Sequence, residues 1–286
     1  MTARLGAGHF HMTTTTGGAP RVLAWLEEWL QTEWPDLKVF CTSVTEQWAA
    51  VAEVGPTARE LLGAVGTDID LANDAFPHLA FKEGTVAGIP ARVFRISFSG
   101  EIAYEVNVPW GYGAALWEAL WIAGQPLAIV PYGTESMHVL RAEKGYIIVG
   151  QDTDGTVTPY DLGMDWIVGK TKKDFIGKRG LARAGIQAPG RKELVGLLTA
   201  DGREVLEEGA QIVADAAVGH PPVPMIGHVT SSYASPTLGR SIAMALLQGG
   251  HRRHGETVHI PMPGRVIAAK VTKPVFYDPE GARLNG

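Results

Sequence analysis

The first half of the chain alternates between two hydrophobic periods, one typical of helices and one typical of strands. A spacing of three and four residues predicts helices in "APRVLAWLEEWLQTEW", "PTARELLGAV" and "GAALWEALWIAG", and a further helix from about Gly133 to Glu143. Strand-like runs extend from His9 to Thr14 and occupy "LKVFCTSV" and "QWAAVAEVGP". This order predicts an α+β architecture with helices packed on mixed or antiparallel sheets, and it places the tryptophans of the first helix in the core.

The segment "RISFSGEIAYEVNVP", residues 95–109, has the pattern of a β-hairpin with its turn at residues 99–101. Side chains alternate along a strand, so one face of the second strand is apolar: Ile102, Tyr104, Val106 and Val108. Glu105 lies on the other face with Ala103 and Asn107. The spacing leaves two interpretations open, because this face is either solvated or lines a pocket whose ligand offers N–H donors to a carboxylate.

The amino-acid composition and the hydrophobic pattern change twice in the second half of the chain. "KGYIIVGQDTDGTVTPYDLGM" is rich in Gly, Thr, Asp and Pro and indicates a long ordered loop, and loops of that length are usually functional. From about Lys192 short strand-like runs alternate with Gly and Pro turns, which predicts a small antiparallel barrel or sandwich. We therefore predict two regions, residues 1–190 and a C-terminal β-barrel domain at residues 191–286.

Composition excludes several classes of protein. The 286 residues carry a net charge of −5 and 45% hydrophobic residues, so neither nucleic acid nor an anionic membrane is expected as the main partner. No apolar run reaches the roughly eighteen residues that a membrane span needs. The single cysteine excludes an internal disulfide and fits the cytoplasm. The chain enters strand-like residues almost at once, which predicts a fragment or a subunit whose first strands lie elsewhere.

Common cofactor motifs are missing from the sequence. His9 and His11 form an H-x-H pair, and His251, His254 and His259 lie near the C-terminus, but no ligand spacing supports a metal site. Neither G-x-G-x-x-G, nor a phosphate-binding G-x-x-x-x-G-K-[ST], nor a G-x-S-x-G nucleophile motif occurs. These absences argue against a nucleotide-binding domain and against a serine hydrolase.

A more specific signal lies in "GTESMHVLRAEKGYIIVGQDTDGTVTPYDLGMDWIVGKTKKDFIGKRGL". It combines L-R-x-E-x-G, G-x-D, T-P-x-[DE]-x-G and K-x-D-F-I-G in that order, and the hairpin and "IGHVTSSYASPTLGRSIAMALL" add two further motifs. The chain thereby resembles the aminomethyltransferase family, the T-proteins of the glycine cleavage system, over nearly its whole length. The resemblance implies two interleaved α/β-layer domains with a C-terminal antiparallel β-barrel and tetrahydrofolate in a central channel.

The same resemblance implies site residues. The glutamate that matches Glu105 accepts hydrogen bonds from the pterin ring, because a carboxylate takes two neighbouring N–H donors at once. Phe98 stands where the family usually has Tyr and is expected to pack on the pterin, and Tyr277 matches an aromatic residue near the folate. Met137 replaces the family's usual arginine, Arg141 and Glu143 are expected to form a structural ion pair, and the catalytic residue is unknown because the family's aspartate motif precedes Met1.

Within this family the sequence is most similar to the C-terminal half of the heterotetrameric sarcosine oxidase alpha subunits. That similarity implies a component that transfers the one-carbon unit of oxidised sarcosine to tetrahydrofolate, giving 5,10-methylenetetrahydrofolate. The implied partners are other oxidase subunits, folate and an amine-derived imine, with flavin and NAD held elsewhere. One alternative is a non-catalytic folate-binding accessory module. Members of that group have a cysteine where this chain has Tyr146, which argues against this alternative. A scaffold that has lost its folate site is a third interpretation.

Overall fold

The computed structural model describes residues 1–220 and 222–286, and the chain divides into two compact units. Unit 1 comprises Met1–Ser97, Glu101–Val130 and Arg283–Gly286, and unit 2 comprises Phe98–Gly100 and Pro131–Ala282. A domain boundary between residues 190 and 191 stays a prediction. No helix among the described residues has the length and hydropathy needed to cross a bilayer.

Unit 1 is built around a four-stranded antiparallel sheet. A separate hairpin, β1 (Thr2–Gly6) with β2 (His9–Met12), precedes it. The sheet contains β3 (Trp48–Val54), β4 (Phe81–Val86), β5 (Ile89–Phe94) and β6 (Ala103–Pro109), in the order β3-β6-β5-β4. The predicted hairpin is thus an antiparallel pair of β5 and β6, joined by a longer connection than the sequence indicated.

One face of this sheet forms the core of unit 1. Tyr104, Val106 and Val108 of β6 are fully buried there, beneath α2 (Ala58–Ala64) and α3 (Gly113–Gly124). Leu62, Leu116 and Leu120 of those helices complete the cluster. Tyr104 is therefore a core residue, and the alternation along β6 leaves Glu105 on the opposite face.

Two expectations for the first 45 residues are wrong. The helix α1 (Ala19–Thr32) forms with Pro20 in its first turn, but it has no buried residue, and Trp25 is 44% exposed. Its aromatic rings contact each other instead, with the centroids of Trp25 and Trp29 6.2 Å apart. "LKVFCTSV" forms no strand, and Phe40 is 94% exposed. Strands and apolar helix faces are stabilised by burial against a partner surface, and among the described residues neither segment has a fully buried side chain.

Unit 2 contains a closed antiparallel barrel. Its strands are β7 (Lys192–Thr199), β8 (Gln211–Ile212), β9 (Gly227–Ser235), β10 (Arg240–Gln248), β11 (Thr257–Met262) and β12 (Arg265–Thr272). They pair in the order β11-β12-β7-β10-β9-β8. The two ends meet where Val213 and His259 exchange backbone hydrogen bonds of 2.8 and 3.1 Å. This confirms the predicted α+β class with a C-terminal antiparallel barrel.

The barrel is packed on its inside and on part of its outside. Ala243, Ala245 and Leu247 of β10 point into the barrel core, whereas Ile242, Met244 and Leu246 belong to a second cluster. Ala142 of α4 (Thr134–Glu143) joins this second cluster. The uninterrupted apolar run "IAMALL" follows from burial of β10 on both faces.

Between α4 and the barrel lies an irregular stretch with two short helices, α5 (Lys178–Leu181) and α6 (Ala184–Gln187). Its first part, the polar loop (residues 150–163), has no helix or strand and is held in place by buried Asp152 and Asp161. Local hydrogen bonds between Asp and Thr side chains and the backbone replace regular structure there.

Candidate functional site

Glu105 lies on the face of the four-stranded sheet that points away from the core. Its neighbours across the sheet are Ala52 on β3 and Phe94 on β5. Ala50 and Ala52 are both exposed and carry only a methyl group. The small side chains of β3 therefore leave an open strip beside a half-buried carboxylate.

The Glu105 carboxylate has unused capacity to accept hydrogen bonds. In the described part of the chain its oxygens accept one bond, from Asn107 Nδ2 at 3.1 Å to Oε1. A carboxylate offers about four acceptor positions, so roughly three remain for a ligand. Asn107 is itself 7% exposed and holds the carboxylate in place from two residues further along the strand.

Aromatic and cationic side chains flank this carboxylate. The ring of His11 stacks on Phe94, with centroids 5.9 Å apart and planes 23° apart, and meets the edge of Trp48 at 6.4 Å. The Arg92 guanidinium lies 4.9 Å from the centre of the Trp48 ring and donates to Glu83 at 2.7 Å. Arg92 is paired with Glu83, and among the described residues no cation forms an ion pair with Glu105.

His11 is a polar group inside this aromatic wall. Burial lowers the pKa of His11, and the neighbouring Arg92 guanidinium lowers it further, while the Glu105 carboxylate acts in the opposite direction. A lowered pKa favours the neutral imidazole near pH 7. The wall of the site is therefore aromatic and uncharged on the His11 side, which suits a flat ligand with N–H donors.

Phe98 and Tyr277 belong to unit 2, where both of their segments are fixed at the end of α4. Gly100, with a φ of +84°, lies so close to Lys144 that a Cβ there would meet the Lys144 stem at 2.6 Å. The backbone N–H of Tyr277 donates to the Glu143 carbonyl at 2.9 Å, and Lys144 pairs with Asp278 at 2.8 Å. Phe98 is 38% exposed and Tyr277 is half-buried, so both residues are partly accessible to solvent.

The expected ion pair between Arg141 and Glu143 does not form. Arg141 is completely buried and pairs with Asp152 at 2.5 Å, while its other nitrogen donates to Ser231 and Tyr233. Glu143 accepts instead from the Ser235 hydroxyl at 2.6 Å. Residues two apart on a helix point in different directions, so spacing alone argued against the pair. The L-R-x-E-x-G and G-x-D motifs thus anchor α4 and the polar loop to the barrel.

The T-P-x-D motif has a comparable structural role. Thr158 donates to Asp161 through its backbone N–H and its hydroxyl, both at 2.8 Å, and Arg191 pairs with Asp161 at 2.7 Å. Burial opposes ionisation of Asp161, but the hydrogen bonds from Arg191 and Thr158 outweigh it and lower the pKa of the carboxyl. Sequence reasoning missed Arg191, because nothing in the chain signals a partner thirty positions from Asp161.

Comparison with known proteins identifies the class. Residues 1–172 match the GCVT N-terminal domain family, and residues 192–278 match the glycine cleavage T-protein C-terminal barrel domain. An aminomethyltransferase of Nitrosomonas eutropha is 32% identical over 95% of this chain and 69% of its own length. The chain therefore belongs to the aminomethyltransferase family of glycine cleavage T-proteins, which confirms the resemblance seen in its motifs.

Sarcosine oxidase alpha subunits have a higher sequence identity to this chain than that aminomethyltransferase does. The alpha subunit from Corynebacterium sp. (strain P-1) is 54% identical over the whole of this chain. The chain spans 30% of that subunit's length. A solved aminomethyltransferase T of the glycine cleavage system from Bartonella henselae shares the fold, with a TM-score of 0.74 over 92% of this chain and 67% of that one, at 24% identity.

Proposed function

We propose that this chain is the tetrahydrofolate-binding part of a sarcosine oxidase alpha subunit. In this proposal it helps to transfer the one-carbon unit of oxidised sarcosine to tetrahydrofolate, giving 5,10-methylenetetrahydrofolate. The observation that carries the proposal is Glu105, a held carboxylate with open acceptor positions beside an aromatic wall. Family membership and the similarity to alpha subunits support it.

The described residues fit a reduced pterin. Its 2-amino group and neighbouring ring N–H form a pair of donors, and one carboxylate accepts both. The exposed methyl groups of Ala50 and Ala52 leave room for a flat ring beside Glu105, and Asn107 fixes the carboxylate. The family resemblance adds Phe98 and Tyr277 as predicted folate contacts, and these two assignments need their own variants.

When bound, tetrahydrofolate supplies the nucleophilic nitrogen that accepts the one-carbon unit. The work of this chain is to hold and orient the pterin and to limit the access of water, which together lower the barrier of a reaction between two bound partners. Asp152 is a poor acid–base candidate because it is completely buried and fully hydrogen-bonded. Asp154 accepts hydrogen bonds from the backbone N–H and the hydroxyl of Thr156, which makes it a poor candidate too. We therefore assign no catalytic carboxylate.

The proposed setting is a hetero-oligomer in the cytoplasm. The similar proteins are named as alpha subunits, which supports further subunits as partners. Flavin and NAD are proposed to be held by the rest of that assembly. The amine-derived imine would reach this chain from the oxidising site.

Calorimetric titration with 5-formyltetrahydrofolate tests the folate site. One equivalent should bind, and Glu105→Ala should weaken binding by at least about tenfold, since a lost charged hydrogen bond costs roughly 1.5–3 kcal/mol. Glu60→Ala, which removes an exposed carboxylate from α2, is the matched control and should bind like the wild type. Equal affinity in Glu105→Ala would return this carboxylate to the solvated-face interpretation.

A turnover assay separates the enzyme component from a binding module. The purified chain is incubated with sarcosine, oxygen and tetrahydrofolate, and glycine, peroxide and methylenetetrahydrofolate are measured. We expect no turnover by this chain alone and turnover once the amine-oxidising parts of the oxidase are added. Folate binding without turnover in the complete mixture would favour the accessory module, and turnover by the isolated chain would contradict the proposed division of labour.

A further inference from the structure

Unit 2 contains a cavity that none of the residues discussed for folate binding lines. Its volume is about 670 Å³, and it lies among residues 158–186, between the T-P-x-D motif and α6. Small-molecule sites in proteins typically have volumes of about 300–1,000 Å³. The cavity is therefore large enough for a small ligand.

The lining of this cavity is mainly apolar. Six aliphatic and aromatic residues line it: Ile167, Val168, Phe175, Ile176, Leu181 and Ile186. Ile167 and Ile176 are 50% and 40% exposed, which leaves the rim accessible from solvent. An exposed apolar concavity of this kind marks a place where a ligand would remove hydrophobic surface from water.

Two cations lie in the same wall. Lys172 and Arg183 line the cavity, and within the described part of the chain neither forms an ion pair or a side-chain hydrogen bond. By contrast, Lys178 donates to the carbonyls of residues 172 and 173, and Arg191 is held by Asp161. Residues 170–192 hold eight Lys or Arg and one acidic residue, Asp174, in a chain whose net charge is −5.

One side of the cavity is rigid. Thr158 lines it and is tied through two hydrogen bonds to Asp161, which is 4% exposed and paired with Arg191. Pro159 is adjacent and has a restricted backbone. A preformed wall reduces the ordering cost of binding.

We infer that this cavity binds a small anion with an apolar body, its carboxylate paired with Arg183 and Lys172. A guanidinium suits a carboxylate because it presents two parallel N–H donors, and the lysine adds a second positive charge. The aliphatic wall takes the apolar body of the ligand. This inference does not rest on the proposed folate function, and its residues are distinct from Glu105, Phe98 and Tyr277.

Calorimetry with octanoate tests the site, with 1-octanol as the uncharged probe of the same chain length. One equivalent of octanoate should bind at least about tenfold more tightly than 1-octanol. Gly180→Leu should weaken octanoate binding by at least about tenfold, because it places a branched side chain at a residue that lines the cavity. A Cβ at Gly180 meets no atom within 4 Å, and the residue lies in α5, so the variant is expected to fold.

Charge variants locate the anion. Arg183→Gln and Lys172→Gln should each weaken octanoate binding by about tenfold and leave 1-octanol binding unchanged. Lys173→Gln removes a charge from the same segment outside the cavity wall, and it should bind octanoate like the wild type. Thermal melting checks that each variant is folded. Full octanoate binding by a folded Gly180→Leu variant, or equal binding of octanoate and 1-octanol, would overturn the inference.

Discussion

Glu105 in unit 1 and Asp152 in unit 2 are both carboxylates within family motifs, but their surroundings differ. Asp152 is completely buried and accepts four hydrogen bonds, from Arg141, Thr230, Ser231 and the backbone N–H of Ile148. Glu105 is half-buried and accepts one hydrogen bond from the described residues, that of Asn107. A carboxylate whose acceptor positions are all filled holds the fold together, whereas one with open positions is available to a ligand.

The largest effect should come from removing the saturated carboxylate. Asp152→Ala leaves Arg141 charged and without its ionic partner in the interior, which typically costs about 3–5 kcal/mol of unfolding free energy. Chemical denaturation monitored by circular dichroism measures this loss. Asp215→Ala, an exposed carboxylate in the same unit, should change stability by less than about 0.5 kcal/mol. Similar stabilities of the two variants would contradict the structural role assigned to Asp152.

A third carboxylate, Glu53, is buried in the sheet of unit 1. It lies on β3 directly across from Tyr104, it is 5% exposed, and neither of its oxygens has a hydrogen-bond partner among the described residues. Burial raises the pKa of Glu53 from its ordinary value of 4.5 to about 8. The folded protein therefore holds a proton that the unfolded chain releases between these two pH values.

The stability of unit 1 should accordingly fall as pH rises from about 4.5 to 8 and level off above that range. The slope is at most about 1.4 kcal/mol per pH unit for one proton. Glu53→Gln keeps the shape of the side chain and removes the titration, so its unfolding free energy should lose this decline. Unfolding curves measured at pH 5, 6.5 and 8 for both proteins decide the point, and parallel pH profiles would contradict it.

The smallest stability effect should belong to Glu105. Glu105→Ala removes one hydrogen bond on an open sheet face, and surface changes of this kind usually alter unfolding free energy by no more than about 0.5 kcal/mol. Its folate affinity should fall by at least about tenfold in the same preparation. The thermal melting temperature and the titration together sharpen the comparison, since a marked loss of stability would assign Glu105 a structural role like that of Asp152.

The sequence predicted those parts of the fold that regular periodicity determines. The strand-like runs predicted from about Lys192 onward form the strands β7 to β12, and α3 ends at Gly124 as its sequence indicated. The alternation along β6 correctly separated Tyr104 from Glu105. Asn107 was visible on the same face by the same period of two, but its hydrogen bond to Glu105 needed coordinates.

Sequence patterns did not predict which side chains far apart in the chain contact each other. Arg141 pairs with Asp152 and donates to Ser231, and Asp161 pairs with Arg191, because the polar loop folds back on the barrel. His11 reaches Phe94 from a separate hairpin. For the tryptophans of α1 the sequence predicted burial that the structure does not show. An amphipathic pattern indicates which face of a helix is apolar, but it does not indicate whether another part of the chain packs against that face.

The backbone bridge between Val213 and His259 has a consequence for how the chain can join other molecules. Among the described residues this bridge joins the two end strands of the barrel sheet, so β11 has a hydrogen-bonded neighbour on both sides at His259. The four-stranded sheet of unit 1 is open and ends at β3 and β4. Strand addition by a second polypeptide is therefore expected at the open sheet of unit 1 rather than at the bridged ends of the barrel sheet.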